Sequence, residues 1–353
     1  MKTNNVYDQT TKVFSVISLI LLLSPCCFAQ RDEFNRIDTL LMELNEKKEF
    51  NGSILIAKND YIIYQKNIGL ADMEYGVPVN SSTKFELASV SKTFTALLVM
   101  QLVEKGKIDL DAKVTSYIPE FTGPGSNDIK IHHLLSHTSG IQDFVGLNCD
   151  FSNWIEKEFM AGLSKTPVNF QAGSKFEYAS STYILLRFII ERVTGFSYEH
   201  NLQEHVLKVA EMHDTGVLHN REIIPNRAMG YVSAGEKYQN ALPVLNHEIF
   251  LGAASIYSTA QDLLKFDRAL YGNKLLGSKL KERMFTVVQR PYAYGWFVSE
   301  DATAGKILSH GGDIFGFTTL IERRLKDKTL IIILSNLQSV DREKIIRLFD
   351  KIL

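Results

Sequence analysis

Phe85-Glu86-Leu87-Ala88-Ser89-Val90-Ser91-Lys92-Thr93-Phe94-Thr95-Ala96 is the stretch on which the reading of this chain turns. A serine three residues before a lysine, at the start of an apolar helix, can make an activated nucleophile. Positions i and i+3 share one helix face, so the Lys92 amine can approach the Ser89 hydroxyl and help remove its proton. The spacing by itself is common. Ser81-Ser82-Thr83-Lys84 and Ser278-Lys279-Leu280-Lys281 carry it too. The first lies in a polar, loop-like cluster and the second on a solvated, charged face. Ser89 is followed instead by Phe94, Leu97, Leu98, Val99, Met100, Leu102 and Val103. That helix is apolar nearly all round and should be buried. A lysine in its first turn is costly unless it has a task or partners, and desolvation would push its pKa down toward a useful base. The alternative is that Ser89 merely caps the helix.

Outward from this stretch, strand patterns lie near both chain ends. Gly52-Ser53 opens a strand, Ile54 to Ala57. Asn59-Asp60 signals a turn, and Tyr61 to Tyr64 pairs back as a hairpin. Thr318 to Arg324 and Thr329 to Leu334 flank a second turn, and the isoleucine-rich last strand should be buried. Arg31 to Glu49 and Glu343 to Leu353 read as terminal helices. From Thr93 to Leu270 helical patterns dominate, with Tyr183 to Val193 stopped at Thr194-Gly195 and another helix capped by Thr259 with Asp262 behind it. The expected fold class is α+β: an antiparallel sheet built from both chain ends, flanked by helices, with a mostly helical region inserted. The expected division is 30–92 with 253–353 as the sheet domain and 93–252 as the helical one.

The chain has 353 residues, 45% apolar and 22% charged, with a net charge of -1. This is ample for a large core and offers no electrostatic footprint for nucleic acid. The N-terminus stands apart. Val13 to Leu23 is apolar except for Ser15 and Ser18, Lys12 precedes it, and Cys27-Phe28-Ala29 ends in a small residue. Residues 1–29 read as a secretory signal, which implies a secreted or periplasmic protein. An uncleaved membrane anchor is the alternative, and Cys26 or Cys27 could carry a lipid. Cleavage would leave Cys149 alone, so no internal disulfide is expected.

Further motifs follow in order. They are Leu134-Leu135-Ser136-His137-Thr138-Ser139-Gly140-Ile141, Gln171-Ala172-Gly173, Phe176-Glu177-Tyr178-Ala179-Ser180, Gly252 to Phe266, Tyr294-Gly295-Trp296, and His310-Gly311-Gly312 with Gly316-Phe317 behind it. Together with the Ser89 stretch, and from about Phe50 to Asn336, the chain resembles the serine β-lactamase-like proteins: class C β-lactamases, DD-peptidases and related esterases. The resemblance implies that Ser89 is the acylated nucleophile and Lys92 its partner. Tyr178 would trade protons with the serine and the leaving group. The bland reading of Tyr178 is a core aromatic. His310, Gly311 and Gly312 would form the substrate strand, with the amides of Asp313 and Ser89 as oxyanion hole.

Three departures from the family pattern concern specificity. Ser180 stands where asparagine is usual and reaches less far toward a substrate amide. Gly311 lacks the usual threonine hydroxyl. His310 replaces lysine, so positive charge there depends on pH. All three weaken recognition of an anionic β-lactam. An ester or D-amino-acid peptide is therefore the expected substrate, with a β-lactam or a DD-carboxypeptidase substrate second. A non-catalytic protein that binds wall fragments is the alternative of another class. Neither the Ser-Asp-Asn and Lys-Thr-Gly set of class A enzymes nor a Gly-x-Ser-x-Gly elbow is present. His133 and His137 have zinc-ligand spacing without a glutamate between them, and His247-Glu248 lacks a second histidine. No metal or cofactor is expected. The expected partner is a small-molecule or peptidoglycan-like substrate.

Overall fold

A computed structural model describes residues 25–143, 156–235, 237–242, 246–289, 291–349 and 353. The apolar run at Val13 to Leu23 and Cys149 lie outside them. Among the described residues no helix is long and apolar enough to cross a membrane.

The terminal strands meet as their patterning requires. Strand β1 (Gly52–Lys58) pairs antiparallel with β2 (Tyr61–Ile68) on one side and with β6 (Thr329–Ser335) on the other. Strands β3 (Phe297–Asp301), β4 (Gly305–Ile314) and β5 (Phe317–Arg324) extend the sheet in the order β3-β4-β5-β6-β1-β2, antiparallel throughout. Opposed residues Ile54↔Ile333, Leu55↔Ile332 and Ile56↔Ile331 set the register. Successive side chains point to opposite faces. Ile54, Ile56, Ile331 and Ile333 therefore pack with Leu41 of helix α1 (Pro25–Glu46) and Ile345 and Phe349 of α5 (Arg342–Phe349). Leu55, Leu330, Ile332 and Leu334 face the other way, toward the larger core. Both faces of the central strands are covered, which is why their sequences are continuously apolar.

The larger core holds the inserted helices. Helix α2 (Ser91–Glu104) is buried along nearly its whole length, as expected from its sequence. It packs against α3 (Ser180–Thr194), while α4 (Ala260–Tyr271) packs on β1 and β6. Phe94 of α2 and Phe266 of α4 stack at 4.2 Å. Gly195 stops α3 in the left-handed conformation, and the Thr259 hydroxyl caps α4 by accepting from the Asp262 amide. One apolar cluster joins Leu55 and Ile332 of the sheet to Phe188 and Leu202 of the helical region. A division at 92/93 falls inside α2.

The middle is less purely helical than its sequence suggests. Tyr231–Ala234 and Lys237–Asn240 form a hairpin. Gly216–Val217 and Phe85–Glu86 flank Ile256–Ser258 in a small three-stranded sheet. These strands are too short to show a periodic pattern. The first helix also begins earlier than expected, at Pro25 rather than Arg31.

Candidate active site

The nucleophile stretch is built as a strand, a strained turn and a helix. Phe85–Glu86 pairs with Ile256–Ser258, and the Leu87 amide donates to Ile256 O at 2.8 Å. Ala88–Val90 then forms a 3₁₀ turn in which Ala88 has φ +47°, a conformation disfavoured for any residue with a β carbon. Helix α2 starts only at Ser91, whose Oγ accepts from the Ile256 amide. Ser89 therefore sits in the turn before the helix, and no side chain caps either the turn or the helix. The capping alternative is not what Ser89 does. Its Oγ accepts from Lys92 Nζ at 3.1 Å.

Lys92 is fully buried. Its Nζ also donates to Ala253 O at 3.1 Å and to Ser180 Oγ at 3.3 Å, and lies 4.9 Å from the centre of the Tyr178 ring. Burial pushes its pKa down to about 7, against a smaller opposing pull from Asp143. A neutral amine, hydrogen-bonded to a serine hydroxyl, is thus within reach near neutral pH. Burial drives Tyr178 the other way, well above the ordinary phenol range. The Ser89 hydroxyl lowers it a little, and the Asp143 and Asp313 carboxylates raise it further. Tyr178 is a neutral phenol at any working pH. A phenolate would need a nearby cation, and the lysine beside it has lost much of its charge.

Ser180 opens α3. Its amide and that of Ser181 donate to Asp143 Oδ1 at 3.0 and 3.3 Å, placing a carboxylate on the helix's positive end. Sequence reasoning missed Asp143, which lies two residues past the Leu134–Ile141 motif.

Strand β4 brings the last motif against the nucleophile turn. A β carbon on Gly312 would lie 2.2 Å from Leu87 O and 3.1 Å from the Ala88 β carbon, so only glycine allows this approach. Thr319 Oγ1 ties the same carbonyl at 2.8 Å. The strand that carries Asp313 thus packs on the turn that carries Ser89.

His310 departs from expectation. It is buried, and its Nδ1 lies 2.7 Å from Gly311 O, an acceptor only, so Nδ1 carries the proton. Nε2 then accepts from the Tyr292 hydroxyl at 2.9 Å. Burial and then Lys92 hold the ring's pKa down at about 3. The pH-dependent positive charge expected at this position is therefore absent at ordinary pH, because the ring is desolvated and both nitrogens are engaged. Tyr292, also missed, is fully buried between the rings of His137 and Phe297, at 4.8 Å from each. His137 is buried as well; its Nδ1 accepts from the Ala179 amide, and Nε2 has no hydrogen-bond partner among the described residues. No cluster of metal-ligating side chains occurs among the described residues. His133 Nδ1 is taken by the Lys130 amide.

Tyr294-Gly295-Trp296 supports α2 from outside. Gly295 has φ +80°, and a β carbon there would lie 2.7 Å from the Ala96 β carbon and 3.1 Å from Lys92 O. A cavity of about 550 Å³ lies beside the nucleophile stretch, lined by Glu86, Arg227, Met229, Leu242 and Phe315 among others. A cavity of about 620 Å³, between the ends of α1 and α5, contains none of these catalytic candidates.

A serine hydroxyl bonded to a buried lysine beside a neutral tyrosine is an arrangement that suits a serine hydrolase. Comparison with known proteins agrees. Residues 37–350 match the family model for Beta-lactamase, and the chain belongs to that family. Its members are serine hydrolases, and this chain is one. It is 32% identical over 333 residues to Penicillin-binding protein 4* of Bacillus subtilis, covering 87% of this chain and 72% of that one. Two solved structures share the fold. The penicillin binding protein from Bacillus halodurans superposes with a TM-score of 0.77 at 24% identity, covering 90% of this chain and 99% of the other. EstCE1, described as a hydrolase with promiscuous acyltransferase activity, gives 0.78 at 21% identity, covering 91% and 98%.

Proposed function

We propose that the chain is an extracytoplasmic esterase or D-amino-acid peptidase that works through an acyl-enzyme on Ser89. The observation that carries this reading is the 3.1 Å contact from Lys92 Nζ to Ser89 Oγ, in a place where burial leaves the amine partly neutral near pH 7. As Oγ bonds to the substrate carbonyl carbon, its proton passes to the Lys92 amine. The oxyanion is held by the amides of Ser89 and Asp313. Tyr178, a neutral phenol, gives its proton to the departing oxygen or nitrogen and is restored by the Lys92 ammonium. Water then adds to the acyl carbon, its proton passes through the same pair to Ser89 Oγ as the acyl–oxygen bond breaks, and the Ser89 hydroxyl is restored.

Ser180, Gly311 and a neutral His310 all lessen recognition of an anionic β-lactam, which supports ester or D-peptide cleavage over β-lactam hydrolysis. The likeness to a penicillin-binding protein keeps DD-carboxypeptidase or β-lactamase action as the second reading. The N-terminal apolar run supports export, with residues 1–29 as a signal. A non-catalytic, wall-fragment-binding role is disfavoured by the intact Ser89, Lys92 and Tyr178 set.

Fluorophosphonate labelling tests the mechanism. The wild-type chain should gain one label at Ser89, and Ser89→Ala should gain none. A label on another residue overturns the assignment. A panel of 4-nitrophenyl butyrate, a D-alanyl-D-alanine peptide and a chromogenic cephalosporin tests the substrate class. Turnover of the cephalosporin faster than the other two reverses the proposed order.

A further inference from the structure

Arg342 opens α5 and reaches over the joined ends of β4 and β5 to the strand carrying His310-Gly311-Gly312. Its Nε donates to Thr319 O at 2.9 Å and its Nη2 to Gly312 O at 2.8 Å. The same Nη2 is 2.5 Å from Asp313 Oδ2. The guanidinium is thus clamped on two strands, at the glycine that packs on the turn carrying Ser89. A β carbon on Gly311 would sit 3.4 Å from its Cζ, so the glycine puts no side chain of its own against that side of the cation. Of the nearby nitrogen bases, Lys92 is part neutral and His310 is neutral. The guanidinium is the cation that faces this strand. Asp313 cancels that charge.

We propose that the Asp313 carboxylate takes, from within the chain, the place on Arg342 that a substrate carboxylate would take, and so turns this enzyme toward substrates uncharged beside the scissile bond, a reading that presupposes acyl transfer at Ser89. An anionic substrate must displace Asp313 from the guanidinium and then sit next to the displaced carboxylate. A neutral ester or amide meets neither obstacle. Selection against one partner by a built-in repulsion is a general route to specificity. Arg342 is 22% exposed and Asp313 60%, so the pair is held weakly and can open. It filters anionic substrates without excluding them. Asp313 is also close enough to the reacting groups for its charge to raise the Tyr178 phenol.

The test compares two chromogenic esters that differ by one carboxylate, 4-nitrophenyl butyrate and 3-carboxy-4-nitrophenyl butyrate. The quantity read is the ratio of their kcat/KM values, anionic over neutral, within one protein. Any general loss from altering a residue beside the oxyanion amide cancels in that ratio. In Asp313→Asn the ratio should rise about tenfold, the scale expected for removing one negative charge a few ångströms from another near a protein surface. With Arg342 also replaced, by Gln or, where that variant does not fold, by Lys, the rise should shrink for Lys and vanish for Gln. Where an ester turns over too slowly to rank, protection of Ser89 from fluorophosphonate by benzoate relative to benzamide reads the same preference. A flat ratio in Asp313→Asn, or an equal rise in the Asp313→Asn/Arg342→Gln double variant, overturns the proposal. Failure of the wild-type chain to label at Ser89 would overturn the acyl-serine reading instead, so the two failures are distinguishable.

Discussion

Lys92 bears opposite consequences for catalysis and stability. Its amine must be neutral to take the Ser89 proton, and burial sets its pKa at about 7. For a neutral ester, kcat/KM should therefore rise as pH rises through about 7 and level off above it, since this parameter reports the free enzyme. Lys92→Met should abolish acylation. A profile whose rising limb lies near pH 4 would assign the base to a carboxylate. The folded chain also holds this lysine below its unfolded value of 10.5, so folding releases a proton. Stability should rise between about pH 7 and 10.5, and Lys92→Met should remove that slope from urea unfolding curves. On the acid side His310 and His137 act. Both are buried and neutral, with folded pKa values below the ordinary 6.5. The unfolded chain binds protons that these rings refuse, so stability should fall as pH drops from about 6.5 toward 3. Urea midpoints unchanged between pH 7 and 4.5 would show that the rings are not held neutral.

At the scale of elements, close approach decides more than periodicity does. The Tyr294-Gly295-Trp296 turn presses on α2 one helical turn beyond the nucleophile, and Gly295 leaves no room for a β carbon. Gly295→Ala should cost about 1–3 kcal/mol through strain and overpacking. It should also lower ester turnover more than the loss of folded protein explains, because Lys92 O is one of the atoms displaced. Urea unfolding and kcat measured on the same preparation separate the two effects. The long elements were legible in the sequence. The continuously apolar runs of β1 and β6 and the all-round apolarity of α2 are patterns that burial imposes directly. The hairpin at Tyr231–Asn240 and the two-residue strands beside Phe85 were not legible, since so few residues cannot display a period. Within the site, Ser89, Lys92 and Tyr178 stood out because they sit in ordered motifs. Asp143, Tyr292 and Arg342 did not, because nothing local marks them. Each acquires its place through contacts with residues 30 or more positions away: Ser180 for Asp143, His137 for Tyr292, and Gly312 for Arg342.

For the whole molecule, the sheet and the helical region share one apolar core, and the sheet is tied to its flanking helix α4 by a buried ion pair, Arg323 of β5 with Asp267. Both side chains are almost wholly buried, and the guanidinium also lies 4.7 Å over the Tyr271 ring. Arg323→Met would strand Asp267 without its partner and should cost about 3–5 kcal/mol, whereas Arg323→Met with Asp267→Leu should recover much of that loss. Chemical denaturation of the two variants checks this, and equal losses in both would place the energy in packing rather than in charge. The sequence by itself determined the class of fold and the family, and marked the stretch proposed to carry the nucleophile, because apolar periodicity and motif order are properties of the chain as written. Charge at the site was decided only by tertiary structure. Burial lowered the Lys92 pKa, kept Tyr178 a neutral phenol and silenced His310, and the meeting of α5 with β4 paired Arg342 with Asp313. A pKa and an ion pair depend on what surrounds a group, and in this chain those surroundings come from segments distant in sequence.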